Sequence, residues 1–167
     1  MKGKWEKGIE PRNFAWIIKE KLAVSERPGG YARTHRKVRR HEEILWLRNQ
    51  GFTRVVSLLN SPHNLHAYDE LSMPWSHYPF ETGTDLRGVL RQLYPSLRVW
   101  LAGEERVLLH QEDVGDRLMG VVAGYLIWSN MMEGGPDTIV VVERLFHKQM
   151  GPIGRQLVTA ALEMRSA

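Results

Sequence analysis

The sequence predicts an α/β fold with a central mixed, mostly parallel sheet flanked by helices, and three observations carry that prediction. Short β-branched or apolar runs alternate with longer segments of helical periodicity. Glycine and proline mark the boundaries between them, at Pro28-Gly29-Gly30, Ser61-Pro62, Gly134-Gly135-Pro136 and Gly151-Pro152, without accumulating into a linker. Over residues 106–128 a strand, a tight loop and an apolar helix follow one another directly. That order places a turn at the carboxyl end of a strand and against a helix N-terminus, where α/β proteins bind anions.

The elements read as follows. Residues 14–18 and 21–25 are two short strands with Trp16, Ile17, Leu22 and Val24 as apolar content, forming a hairpin or edge pair. Over 38–50, Ile44, Leu45 and Leu47 recur at helical spacing among charged residues, and Gly51 follows as a stop. Residues 53–59, rich in β-branched residues and leucine, are a buried strand; a short helix around 65–71 and a strand over 75–80 come next. A helical face over 86–101 collects Leu86, Val89, Leu90, Leu93, Leu97 and Leu101, and Pro95 should kink or split it, because its ring removes a donor. Residues 106–109 are a short buried strand, 111–116 a loop, and an apolar helix begins at Arg117. Residues 138–142 favour a strand by propensity, but Ile139, Val142, Leu145 and Phe146 continue one helical face, and the segment is read as helix. A final helix over 153–164 turns Leu157, Ala161 and Leu162 to its apolar side.

At 167 residues the chain suits one domain spanning 1–167. Its 43% hydrophobic and 25% charged residues are globular proportions. The longest apolar stretch, 118–128, contains two glycines and falls short of the roughly 20 residues that span a bilayer. The charged start lacks the pattern of a secretory signal, so the expected location is cytoplasmic, without membrane attachment. There is no cysteine, which excludes disulfides, thiolate catalysis and cysteine-based metal sites. A net charge of +4 mildly favours anionic partners.

The run Val107-Leu108-Leu109-His110-Gln111-Glu112-Asp113-Val114-Gly115-Asp116-Arg117 resembles the signature of the dual-specificity and protein tyrosine phosphatases: a strand, His-Cys, five residues and Arg. Gln111 stands at the cysteine position and Arg117 keeps the arginine. Asn13-Phe14-Ala15-Trp16 with Ser25-Glu26-Arg27-Pro28 is similar to the family's opening strands and Arg-Pro turn. The run from Trp46 through Gly51 to Leu58 resembles its first helix and following strand. His77-Tyr78-Pro79-Phe80 resembles the strand entering the general-acid loop, and Ala123-Gly124-Tyr125-Leu126 the helix behind the phosphate loop. The resemblance covers about residues 13–160, and it implies a single-domain protein tyrosine phosphatase-like fold.

In that family a thiolate attacks phosphorus, loop N–H groups and the arginine hold the phosphoryl oxygens, and an aspartic acid protonates the leaving group. The resemblance therefore marks His110, Gly115 and Arg117 as the anion-binding remnant. Gln111, with no ionisable nucleophile, closes the covalent route, which implies a pseudophosphatase. The acid position aligns with Thr82, too weakly acidic for that role. Glu81, Asp85, Glu112 and Asp113 are the possible substitutes, against the plainer reading of solvated or capping side chains. Glu112, Asp113 and Asp116 also reverse the sign of the loop. At about 5 Å and an effective dielectric near 20, each carboxylate costs a bound anion roughly 3 kcal/mol per unit charge, unless it points outward. Alternatively, Asp113 or Asp116 caps the helix near Arg117.

The densest cationic run, Arg33, Arg36, Lys37, Arg39 and Arg40, could grip a phosphorylated protein or a nucleic acid, or be a solvated helix start. His63, His66 and His77 match no metal signature, and neither a metal nor another cofactor is expected. The expected function is an inactive phosphatase-like module that binds a protein or phosphorylated ligand. The alternatives are a hydrolase of phosphate esters by a non-cysteine mechanism, and a nucleotide or nucleic-acid binder using residues 33–40.

Overall fold

A computed structural model describes residues 8–30, 37–62, 64–80 and 85–166. The elements run β1 (Ala15–Ile18), β2 (Leu22–Glu26), α1 (Lys37–Asn49), β3 (Arg54–Ser57), α2 (His66–Glu70), β4 (Trp75–His77), α3 (Leu86–Ala102), β5 (Val107–Gln111), α4 (Asp116–Trp128), α5 (Gly135–Phe146) and α6 (Pro152–Ser166). The five strands form one mixed sheet in the order β1-β2-β5-β3-β4, antiparallel between β1 and β2 and parallel elsewhere. The described residues fall into two compact units, one within Met1–Pro79 and Trp100–Asp113, the other within Phe80–Val99 and Val114–Ala167.

The first unit holds the sheet. Alternation along a strand sends every second side chain to the same face. Ala23, Leu108 and Val55 are in register across β2, β5 and β3, and they join a buried cluster with Ile44 and Leu47 of α1 and Ala67 and Tyr68 of α2. Fully burying each leucine, isoleucine or valine of this cluster contributes roughly 1.5–3 kcal/mol. The buried side of α1 is Arg40, Glu43, Ile44 and Leu47, an i, i+3, i+4, i+7 stripe whose first half is charged. Gly51, at φ 86°, ends the helix: its N–H reaches the Arg48 carbonyl and that of Phe52 reaches Leu47, so the last carbonyls are satisfied. At the sheet margin Phe14 meets Trp16 and Trp46 edge-on at 5.4 and 5.1 Å, and Trp16 stacks on Phe52 at 5.3 Å.

The second unit is helical. α4 and α6 run parallel, because each ties the other at matching ends. The Asp116 carboxylate, at the start of α4, accepts the N–H groups of Gly151 and Ile153 at the start of α6, at 2.7 and 3.1 Å. Near the end of α6, Arg165 donates to the carbonyls of Ile127, Met132 and Glu133, at and beyond the end of α4. Between these ties the helices approach through glycine. A Cβ on Gly120 would sit 2.7 Å from the Gly154 Cα, and one on Gly124 would meet Tyr94 and Ala161.

Three sequence expectations change. α3 is one helix through Pro95, so of the two expected outcomes, a kink or a split, the split does not occur. Leu90, Leu93, Tyr94 and Leu97 are wholly buried on both sides of the proline, and burial of that stripe exceeds the roughly 3 kcal/mol an interior proline costs. β5 runs to Gln111 instead of stopping at Leu109, since its pairing with β2 continues through Ser25–His110 and Glu26–Gln111. Neither Asp113 nor Asp116 caps α4: its N-cap is Gly115, and Asp116, already helical, turns to α6. Residues 138–142 lie within α5, as read. No helix among the described residues is long and apolar enough to cross a membrane.

Candidate functional site

Because β2, β5, β3 and β4 are parallel, their carboxyl ends share one edge of the sheet. The edge is stitched by backbone bonds: Arg27 N–H to the Gln111 carbonyl at 2.8 Å, Leu58 N–H to that of His110 at 3.0 Å, and Tyr78 N–H to that of Ser57 at 2.9 Å. His77 adds a side-chain bond, its Nε2 donating to the Leu59 carbonyl at 2.6 Å.

Gln111 is the last residue of β5 and is only 7% exposed. A buried carboxamide must satisfy both its ends. Its Nε2 donates to the Leu58 carbonyl at 2.7 Å, and its Oε1 accepts the Glu112 N–H at 3.2 Å. The side chain thus bridges the ends of β3 and β5 and takes up the first N–H of the loop. It offers no nucleophile and no proton that leaves near neutral pH.

His110 is 1% exposed and lies on the same face of β5 as Leu108, toward α2. Its Nε2 is 2.9 Å from the Tyr68 hydroxyl, and its Nδ1 is buried without a partner. Burial, reinforced by the charges of Arg27 and His77, pushes its pKa down to about 3, so the ring is neutral at physiological pH. Burial likewise pushes the Tyr68 phenol far above its ordinary value.

In the second unit, Gly115 is buried, with extended backbone, and gives the start of α4 no side-chain cap. Arg117 is half-buried and makes no ion pair or hydrogen bond with any described residue. Glu112 and Asp113 are exposed, and Asp116 is bonded to α6. The carboxylates expected to crowd the arginine are therefore solvated or engaged elsewhere.

No family model matches the sequence, and no curated protein does. Solved structures do. Kinase associated phosphatase, with its catalytic-site cysteine substituted by serine, superposes with a TM-score of 0.75 at 17% identity, covering 93% of this chain and 95% of that one. Tk-PTP in its active form gives 0.72 at 18%, covering 92% and 97%. Human DUSP28 gives 0.70 at 13%, covering 95% and 100%. The chain has the dual-specificity phosphatase fold.

Within this phosphatase fold the other sequence candidates separate. Asp85 caps α3, accepting the Gly88 N–H at 3.0 Å, which is the capping role weighed against acid catalysis. Glu81 and Thr82 lie outside the described residues, as do Arg33, Arg36 and His63. Of the remaining basic run, Lys37 is exposed and Arg39 pairs with Glu43 at 3.3 Å. Arg40 is 9% exposed, and burial followed by repulsion from Arg27 lowers its pKa. The structure thus does not present Lys37, Arg39 and Arg40 as one solvated surface.

Sequence reading missed Arg27, Glu43 and Tyr68 as members of the site. Glu43 is buried, accepts the N–H of Gly29, and so pins the Arg27-Pro28-Gly29 turn to α1. Burial raises its pKa, against the pull of the Gly29 N–H and Arg39. Extending the stripe of Leu47 and Ile44 back by three and four residues would have found Glu43 and Arg40.

Proposed function

We propose that this protein is a pseudophosphatase: a phosphatase-fold module that binds a protein or phosphorylated ligand without hydrolysing phosphate esters. The observation that carries the reading is Gln111. It stands at the nucleophile position of the signature, and its carboxamide is bonded at both ends, to Leu58 and to Glu112. A thiolate there would supply the electron pair that attacks phosphorus; a carboxamide supplies none. The Glu112 N–H, one of the donors a loop of this kind offers to an oxyanion, is already taken.

The half-buried Arg117 and the uncapped start of α4 support retained affinity for anions. The solvent exposure of Glu112 and Asp113 supports it too, because screening weakens the repulsion they exert on an anion. No geometric feature favours Glu112 or Asp113 as a replacement nucleophile, and neither side chain has a hydrogen-bond or ion-pair partner among the described residues that would orient it.

The test is phosphate release by purified protein from an aryl phosphate and from phosphoserine, phosphothreonine and phosphotyrosine peptides. No turnover is expected, and Gln111→Cys is expected to restore little. Robust release that disappears in Arg117→Ala would overturn the reading. Cytoplasmic action and a phosphoprotein partner belong to the same proposal, and peptide binding without hydrolysis is its positive signature.

A further inference from the structure

α1 and β5 both turn polar where they meet Tyr68. Arg40 and Glu43 begin the inner stripe that Ile44 and Leu47 continue, so Arg40 is carried inside with them. His110 follows Leu108 on the inner face of β5. Arg27 leaves the end of β2 beside Gln111.

A buried guanidinium is ordinarily matched by a carboxylate that accepts its N–H groups. Here the neighbouring carboxylates are engaged elsewhere. Glu43 accepts the Gly29 N–H at one oxygen and Arg39 at the other. Glu26 accepts from Asn13 at 2.8 Å, and Glu70 faces His41 at 2.9 Å. Neither the Arg27 nor the Arg40 guanidinium has an acceptor among the described residues, and both Nε atoms are buried without a partner.

The turn that carries Arg27 is pinned to α1 by the bond from the Gly29 N–H to Glu43, one helical turn from Arg40, and Arg27 repels Arg40 more strongly than either Tyr68 or Glu70 attracts it. Both act on Tyr68, and Arg27 acts on His110. When the His110 Nε2 accepts the Tyr68 O–H, the hydrogen of the neutral ring is on Nδ1, a third buried nitrogen with no acceptor. Around one tyrosine, then, stand two positive charges and three unmatched donors.

We propose that Arg27 and Arg40 form a binding site for a phosphate-type oxyanion beside Tyr68 and His110, using residues other than Arg117. Two guanidinium groups match the charge of a phosphate dianion, and each fork can donate to two of its oxygens. A monocarboxylate would neutralise only one. The site stands independently of the reading of Gln111, and it would give a module without chemistry a means of recognising a phosphoryl group.

The experiment titrates inorganic phosphate into the full chain, following binding by calorimetry and the midpoint of thermal unfolding. Phosphate is expected to bind and to raise Tm. Affinity should fall by about tenfold or more in Arg27→Gln and Arg40→Gln, and the phosphate binding that depends on Arg27 and Arg40 should persist in Arg117→Gln. Arg27→Lys, which keeps the charge and loses the fork, should give an intermediate value. Arg40→Met should raise Tm without phosphate while abolishing the phosphate-dependent increment, because it removes an uncompensated buried charge. Tighter binding of a phosphoserine peptide than of free phosphate, with the same dependence on Arg27 and Arg40, supports the site and assigns a phosphoprotein source; equal binding supports it with free phosphate as ligand. Binding lost in Arg117→Gln but kept in Arg27→Gln overturns the proposal. So does a wild-type chain that binds no phosphate, which leaves the absence of turnover expected from Gln111 untouched.

Discussion

The two units treat their buried polar atoms in opposite ways. In the second, helix ends that would otherwise be unsatisfied find side chains: Asp116 serves the start of α6, Arg165 serves the carbonyls beyond α4, and Asp85 serves the start of α3. In the first, side-chain nitrogens of Arg27, Arg40, His41 and His110 are buried with no hydrogen-bond partner. His41 at least has Glu70 2.9 Å away, whereas the Arg27 Nε, the Arg40 Nε and the His110 Nδ1 have no such neighbour among the described residues. Among the described residues the second unit has no such atom. An incomplete polar interior costs stability and persists where it serves something other than the fold. The difference separates a unit whose polar groups build structure from one that, beside the bonded Glu43 and Gln111, also carries buried nitrogens without a partner among the described residues.

If the second unit is scaffold, its weakest point is the glycine contact between α4 and α6. Gly120→Val should destabilise the chain by about 3 kcal/mol or more, since the added carbon meets backbone, which cannot rotate away. Urea unfolding measures it, and a loss below about 1 kcal/mol would mean that the helices separate easily and that the scaffold reading is wrong.

The first unit should reveal its polar interior through pH. His110 has a folded pKa of about 3, below its ordinary value near 6.5, so between those limits the unfolded chain takes up a proton that the folded chain refuses. Stability is fully present above about 6.5 and declines as pH falls toward 3, by about 2 kcal/mol at pH 5. Unfolding midpoints from pH 7 to 4 should show this decline. His110→Phe should flatten it, and an unchanged profile in that variant would assign the slope elsewhere.

Asp116→Ala tests whether the acidic residue nearest Arg117 belongs to the helical joint. A loss of about 1.5 kcal/mol is expected, from two backbone N–H groups left without an acceptor. Unchanged stability, together with tighter phosphate binding, would instead return Asp116 to the anion loop. The smallest effect is at Asp85: removing this α3 cap in Asp85→Ala should cost about 1 kcal/mol. Stability loss with unaltered ligand binding would confirm it as a cap.

Much of this was legible before the structure. The strand-helix alternation, the Gly51 stop and the signature remnant from His110 to Arg117 are local patterns, and local patterns set element type and order. The boundaries that moved did so for non-local reasons: β5 lengthened because β2 pairs with it, and α3 survived Pro95 because its apolar stripe is buried on both sides. The loop charges were legible as residues but not as directions. Whether Glu112, Asp113 and Asp116 confront Arg117 depends on where their carboxylates go, and Asp116 goes to a helix thirty-five positions further along the chain.

The sequence by itself determined the α/β class and the absence of a thiolate nucleophile, because periodicity and chemical identity need no partner to be read. Only the tertiary structure decided that Gln111 is bonded at both ends, that Asp116 serves α6, and that Arg27, Arg40 and His110 meet around Tyr68 without acceptors. Burial and hydrogen-bond satisfaction belong to pairs of residues far apart in the chain, and those pairs exist only once the strands are in register and α1 has turned its charged stripe inward.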